Sequence, residues 1–202
     1  ARHDGEGVQP TPPERAAATL AAHAAAFGGA GLDAAWGRVR GLVLQPGLEF
    51  APGHVDHFDM AQPDTLSPLL AEHPHLCFEA HSTDYQRPEV FADLARRHFA
   101  ILKVGPALTF AWREALYALS HVLGWIDATP HVSATMERLM LAEPGNWQAH
   151  YHGDAATLRL LRHFGYADRI RYYWAQPEAR TAAAAVIAGF DAAAAPAPLV
   201  AQ

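Results

Sequence analysis

Apolar positions along the chain follow two rhythms. Near-continuous apolar runs cover residues 39–45, 76–81 and 99–104. Each is closed by turn or polar residues: Pro46-Gly47, Ser82-Thr83-Asp84 and Gly105-Pro106. Runs of this length between breakers predict strands buried on both faces. Residues 169–174, dense in aromatic and basic side chains, predict a fourth strand. Helical patterning fills the intervals. Thr11-Pro12-Pro13-Glu14 supplies a capping hydroxyl, proline in the first turn and an early acid, so a helix is expected over 11–27, ended by Gly28-Gly29. Further helices are expected over 33–36, 64–72, 88–98, 107–125, 130–141, 146–151, 155–163 and 177–190. The one over 107–125 carries its apolar set on Phe110, Leu116, Leu119 and Leu123. Asp154 caps the helix over 155–163 and Gly165 stops it. The first ten residues, the segment around Pro52-Gly53 and the Pro-containing tail read as irregular.

Strands that alternate with helices pair in parallel through right-handed crossovers, which sets the class as α/β. The length of 202 residues is enough for one domain over 1–202. Neither a Gly-x-Gly-x-x-Gly turn nor a phosphate-cradling Walker loop is present, against a nucleotide-binding doubly wound sheet.

Composition narrows the function classes. A net charge of -6 argues against a nucleic-acid face, because phosphate neutralisation needs surplus Lys and Arg. The single cysteine, Cys77, has no internal disulfide partner, which fits a reducing cytoplasm. The N-terminus lacks an apolar signal-type segment, and the Ala-rich stretch around Val186 is broken by Asp191, Pro196 and Pro198, so no membrane span is expected. Thirteen histidines produce close pairs such as His54 and His57 by chance; without a Cys cluster or His-Glu-x-x-His pattern, no metal site is expected. Among fifteen basic residues only Lys103 is a lysine, which draws attention to its position.

That position is a strand end, and so are those of other chemically capable residues. Gln45 and Glu49 follow the first strand; Glu79, His81, Ser82, Thr83 and Asp84 end the second; Lys103 ends the third; Arg169 and Arg171 lie in the fourth. Alternate strand residues share a face, so Glu79 groups with His81, and Ile101 with Lys103. Facing inward, these side chains converge on one mouth, which in a (β/α)8 barrel is the catalytic face. An electrostatic pair between Lys103 and Glu79 or another acid is expected, since a lone ammonium inside a barrel is costly. Lys103 suits either a Schiff base or a phosphate anchor. Gly105 opens a helix whose free N–H groups could receive phosphate. Arg169 and Arg171 suit an anion site, a subunit contact or a buried strand.

Several segments carry a family likeness. They are Leu44-Gln45-Pro46-Gly47-Leu48-Glu49-Phe50, Phe78-Glu79-Ala80-His81-Ser82-Thr83-Asp84-Tyr85-Gln86, Leu102-Lys103-Val104-Gly105-Pro106-Ala107-Leu108-Thr109-Phe110 with Arg113-Glu114-Ala115-Leu116, and Asp168-Arg169-Ile170-Arg171-Tyr172-Tyr173-Trp174. Asn146-Trp147-Gln148 and Tyr151-His152-Gly153-Asp154 join them. In order and over nearly the whole chain, they resemble the Z-type subunit of D-tagatose-1,6-bisphosphate aldolase.

The resemblance implies a (β/α)8 TIM barrel, of which this chain is the C-terminal half with about four of the eight strands. It implies a cytoplasmic, non-catalytic subunit that stabilises and activates a separate catalytic aldolase subunit in galactitol or N-acetylgalactosamine catabolism. Zinc is then expected in that partner and no cofactor in this chain. A phosphosugar is the ligand class, with Glu79 and Lys103 as catalytic candidates and Gln45, Glu49, His81, Ser82, Asp84, Gly105, Arg169 and Arg171 as binding candidates. The alternative is a sugar-phosphate enzyme in its own right, of aldolase type; the tagatose-6-phosphate kinase activity also attached to the family finds no nucleotide motif here. Four strands leave both sheet edges open and side chains such as Val43 and Ile101 without partners. Either the rest of the barrel or a second copy of the chain, a homo-oligomer, is expected to cover them.

Overall fold

The computed structural model describes residues 8–126 and 131–192. Among these the chain is mixed α/β and mostly helical, with one parallel sheet, and it divides into two compact units. The first holds residues up to Phe50 and His54–Val104; the second holds Ala51–Gly53 and the chain from Gly105 onward.

The first unit is built on a three-stranded parallel sheet of β1 (Gly41–Leu44), β4 (Cys77–Ala80) and β5 (Phe99–Leu102), in the order β1-β4-β5. A hairpin of β2 (Glu49–Ala51) and β3 (His54–Asp56) stands in the segment expected as loop. Helices α1 (Pro13–Gly29), α2 (Asp33–Trp36) and α3 (Pro88–Arg96) complete the unit. One sheet face is covered: Leu42, Leu44, Phe78, Ala80 and Phe99 pack with Ala16 and Leu20 of α1 and Val90 and Leu94 of α3.

The opposite face differs from the expectation of strands buried on both sides. It is formed by Gly41, Val43, Cys77, Glu79 and Ile101, which stand in register across the three strands. Val43 is 51% exposed and Ile101 40%. A bulge after Phe78↔Phe99 pairs Ile101 with Glu79 and so turns Ile101 onto this face. A side chain at Gly41 would meet Ile101 Cδ1 at 3.3 Å, so this glycine leaves room for its neighbours to lie across the strand.

Thr11 does not cap α1 as expected. Its N–H donates to Gln45 O at 2.7 Å and its Oγ1 accepts from Gln45 N–H at 2.9 Å, tying the segment before α1 to the end of β1. The helix expected over 64–72 shortens to a 3-10 turn, Ser67–Glu72. Asp64 Oδ1 receives the N–H groups of Leu66 and Ser67, which starts that turn from the side chain.

The second unit contains α4 (Pro106–Gly124), α5 (Val132–Ala142), α6 (Ala155–Phe164) and α7 (Pro177–Ala192). Its core joins Leu116 and Leu123 of α4, Met136 and Met140 of α5, and Ala179, Ala183 and Val186 of α7. Pro130, expected to open α5, lies outside the described residues, as do the start of the chain and its Pro-containing tail. Residues 146–151, expected helical, are a 3-10 turn over Pro144–Asn146 followed by turns.

The fourth expected strand is absent among the described residues: Arg169–Tyr173 is a 3-10 helix. The reason lies in the burial period. Ile170 and Tyr173 are both 0% exposed and three apart, which places them on one face of a three-residue turn rather than on opposite faces of a strand. Asp168, at φ 44°, turns the chain into it through the left-handed region.

The α6 start is as expected, with Asp154 Oδ1 accepting from Thr157 N–H at 2.8 Å. Asp154→Ala should lower the stability of the helical unit. Urea unfolding followed by circular dichroism checks this, and an unchanged midpoint would show that the cap adds nothing.

Candidate functional site

The parallel strands bring the ends of β1, β4 and β5 side by side, and with them Gln45, Glu79, His81 and Lys103. Pairing continues one residue past β5, where Lys103 N–H donates to Ala80 O at 2.9 Å. This aligns His81 and Lys103 on adjacent strand ends, with the parity of Glu79. The Glu79 and His81 side chains meet at 2.7 Å, Oε1 to Nε2, with 26% and 42% of their side-chain surface exposed. They form a hydrogen-bonded acid–imidazole pair open to solvent, and such a pair can take up and return a proton.

The expected Lys103–Glu79 pair is not formed. Glu79 is engaged by His81, and Lys103 has no ion pair among the described residues. The lysine is exposed, so water solvates its ammonium and the burial cost that would demand a partner does not arise.

The loop after β4 is held from inside. Ser82 and Tyr85 adopt φ of 58° and 62°, unusual for residues with a Cβ. Thr83 is buried, and its hydroxyl donates to Lys103 O at 3.0 Å, fixing the backbone that presents the lysine. Asp84, in the same loop, is 3% exposed. Gln86 accepts from Phe58 N–H and donates to Asp56 O, fastening this loop to the segment around β3. The sequence pattern does not single out Thr83 or Gln86 for these bonds, because their partners lie 20 to 30 residues away.

Gln45 serves its own turn: Oε1 accepts the N–H groups of Gly47 and Leu48 at 2.9 and 3.0 Å. Gly47 sits at φ 107°, which explains the glycine. Glu49 lies in β2 and accepts from Phe50 N–H at 3.1 Å.

The remaining candidates belong to the second unit. Gly105 precedes α4 as its N-cap residue without a side-chain cap. Arg169 donates to Asn146 O and lies 5.3 Å from the Tyr172 ring centroid. Arg171 donates to Ala167 O and to Tyr172 Oη, both at 2.8 Å, with its guanidinium 4.7 Å from the same ring. The two arginines clasp Tyr172 and nearby carbonyls.

Two buried polar clusters of this unit escape the sequence pattern. Arg113, 0% exposed, donates to Asp168 Oδ1 at 3.3 Å, while Thr109 donates to Asp168 Oδ2 at 2.6 Å. In the second cluster, Arg162 clamps Glu137 through both carboxylate oxygens. His163 Nε2–H donates to Glu137 at 3.1 Å, and Tyr117 Oη–H donates to His163 Nδ1 at 2.6 Å.

Burial holds the His163 imidazole below its ordinary 6.5. The unfolded chain therefore takes up that proton first, and stability falls as pH drops below about 6.5. Hydrogen bonding from Arg162 holds Glu137 below the ordinary 4.5, so its contribution is present above that value and lost on further acidification. Helical melting temperature should be level between about pH 7 and 9 and decline below about 6.5. His163→Gln should remove the first decline; an identical profile would exclude His163 as its source.

Among the described residues no three His, Cys, Asp or Glu side chains gather as a metal-holding group. None of the described helices is long and apolar enough to cross a membrane.

A sequence model for the D-tagatose-1,6-bisphosphate aldolase subunit GatZ/KbaZ-like family matches residues 1–202. The chain belongs to this family. A relative from Agrobacterium fabrum (strain C58), a D-tagatose 6-phosphate 4-epimerase, is 48% identical over all of this chain and 48% of its own length. A crystal structure of a probable tagatose 6 phosphate kinase from Sinorhizobium meliloti 1021 superimposes with a TM-score of 0.91 at 44% identity, over 96% of this chain and 51% of that one. The chain thus spans about half the length of the relatives it matches. The family expected from the strand-end motifs is the one found, whereas the names of its members point to different activities.

Proposed function

We propose that this chain is part of a GatZ/KbaZ-like (β/α)8 barrel that epimerises a ketohexose 6-phosphate at C4. The observation that carries the reading is the Glu79–His81 pair at 2.7 Å, on a half-exposed face at the strand ends where Lys103 also stands. The 4-epimerase activity of the 48% identical relative supports the substrate class.

One bond unites epimerisation with the aldolase chemistry named in the family. The Glu79–His81 pair takes the proton from the C4 hydroxyl. The C3–C4 bond breaks, and its electrons move onto the C2 carbonyl to give an enediolate. The fragments are the enediolate of dihydroxyacetone and glyceraldehyde 3-phosphate. The aldehyde turns its other face, the C3–C4 bond re-forms, and the proton returns to the C4 oxygen with inverted configuration. No oxidant or co-reactant is consumed. Lys103 supplies positive charge to the enediolate oxygen, the kind of fixed charge that stabilises such intermediates. Ser82 remains a phosphate-binding candidate. The reading assigns this chain no cofactor and places it in the cytoplasm.

The test is to incubate the intact protein alone with tagatose 6-phosphate and follow fructose 6-phosphate by carbon-13 NMR. Interconversion without a second protein is expected. A second reading, a non-catalytic subunit that activates a separate aldolase in galactitol catabolism, is favoured by the family's description as an aldolase subunit. It predicts no turnover alone, together with stimulation of added catalytic subunit.

A further inference from the structure

A groove of about 1070 Å³ lies within the second unit, between α4, α5 and α6. Its walls include Leu141, Leu160 and Phe164, which are 54%, 59% and 50% exposed. These are large apolar side chains held in water around a concavity, and the volume is that of small-molecule sites. The lower wall is made by Tyr117 and His163. The Tyr117 proton is committed to His163.

The charges of the groove are unequal. Glu137, the one carboxylate in its lining among the described residues, is neutralised by the Arg162 clamp. Arg138 pairs with Glu178. Arg159 is exposed and forms no hydrogen bond or ion pair among the described residues. An unengaged cation therefore stands beside apolar walls, in a chain whose net charge is -6. Charge complementarity asks for an anion, and the walls ask for an apolar body.

We infer that this groove binds an amphipathic carboxylate, a small organic acid with an aliphatic or aromatic body. The carboxylate pairs with Arg159, and the body lies along Leu160, Phe164 and Leu141. A sugar phosphate is the wrong chemistry here, since its hydroxyls would face apolar walls without partners. The site thus differs in ligand class from the strand-end site of the first unit.

Calorimetric titration of the intact protein with decanoate tests the inference. One equivalent should bind, with decanol about tenfold weaker because it lacks the charge. Arg159→Glu and Leu160→Asp should each weaken decanoate by about tenfold or more, while Arg159→Lys stays within about threefold. Both positions are exposed, so unchanged melting curves will show that the variants fold. Absence of saturable binding, equal affinity for decanol, or wild-type affinity in both variants would overturn the assignment.

Discussion

Glu79→Gln should lower the rate of C4 epimerisation by about 10²- to 10⁴-fold in the intact protein, the range general acid–base groups contribute. The substitution keeps the side chain's shape and leaves an oxygen to meet His81, whose Nε2 lies 2.7 Å from the carboxylate. It removes the group that accepts a proton. Substrate affinity should change little, because in the proposed mechanism Glu79 serves the C4 hydroxyl alone. A loss in kcat with KM held is therefore the signature. Lys103→Met should also lower kcat, and borohydride added during turnover should leave Lys103 unmodified if the lysine acts only as a charge. Substrate trapped on Lys103 would replace that role with a Schiff base. Full activity in Glu79→Gln would remove the acid–imidazole pair from the mechanism.

The second large effect is on stability. Asp168→Ala should destabilise the helical unit by about 3–5 kcal/mol, because it leaves a charge buried without its partner. Arg113 is 0% exposed, and its Nη1 and Nη2 atoms have no hydrogen-bond partner among the described residues. Its guanidinium is 4.1 Å from the Phe110 ring centroid and 5.1 Å from that of Phe164. The aromatic rings offset part of the lost solvation, and Asp168 is the sole counter-ion bonded to it among the described residues. Pairing Asp168→Asn with Arg113→Met should recover much of the loss, since both charges then leave together. Urea unfolding of the single and double variants measures this. A loss below about 0.5 kcal/mol in Asp168→Ala would place the variant among ordinary surface changes and refute the argument.

The strands β1, β4 and β5 were legible because an apolar run between turn residues is a local signal. The grouping of Glu79, His81 and Lys103 was legible because strand parity is local too. The 3-10 helix Arg169–Tyr173 was not. Its residues have strand composition, and only the burial of Ile170 and Tyr173, set by tertiary packing, reveals a period of three. The hairpin β2–β3 was missed because three-residue strands give periodicity too little length. That Arg113 lies buried against Asp168, 55 positions away, is visible in no window along the chain. The Lys103–Glu79 pair failed as an expectation for another reason. It assumed a closed interior, whereas the face bearing Val43 and Ile101 is open to water.

Among the described residues the outer strands β1 and β5 each have a neighbour on one side only. Such a sheet resembles a growing crystal face: each edge offers unpaired N–H and C=O groups to whatever extended chain arrives first. Handled as an isolated chain, this polypeptide will be limited by concentration rather than temperature. Dilution, arginine-containing buffers or co-expression with a strand-supplying polypeptide will do more for its shelf life than any stabilising substitution in its helices.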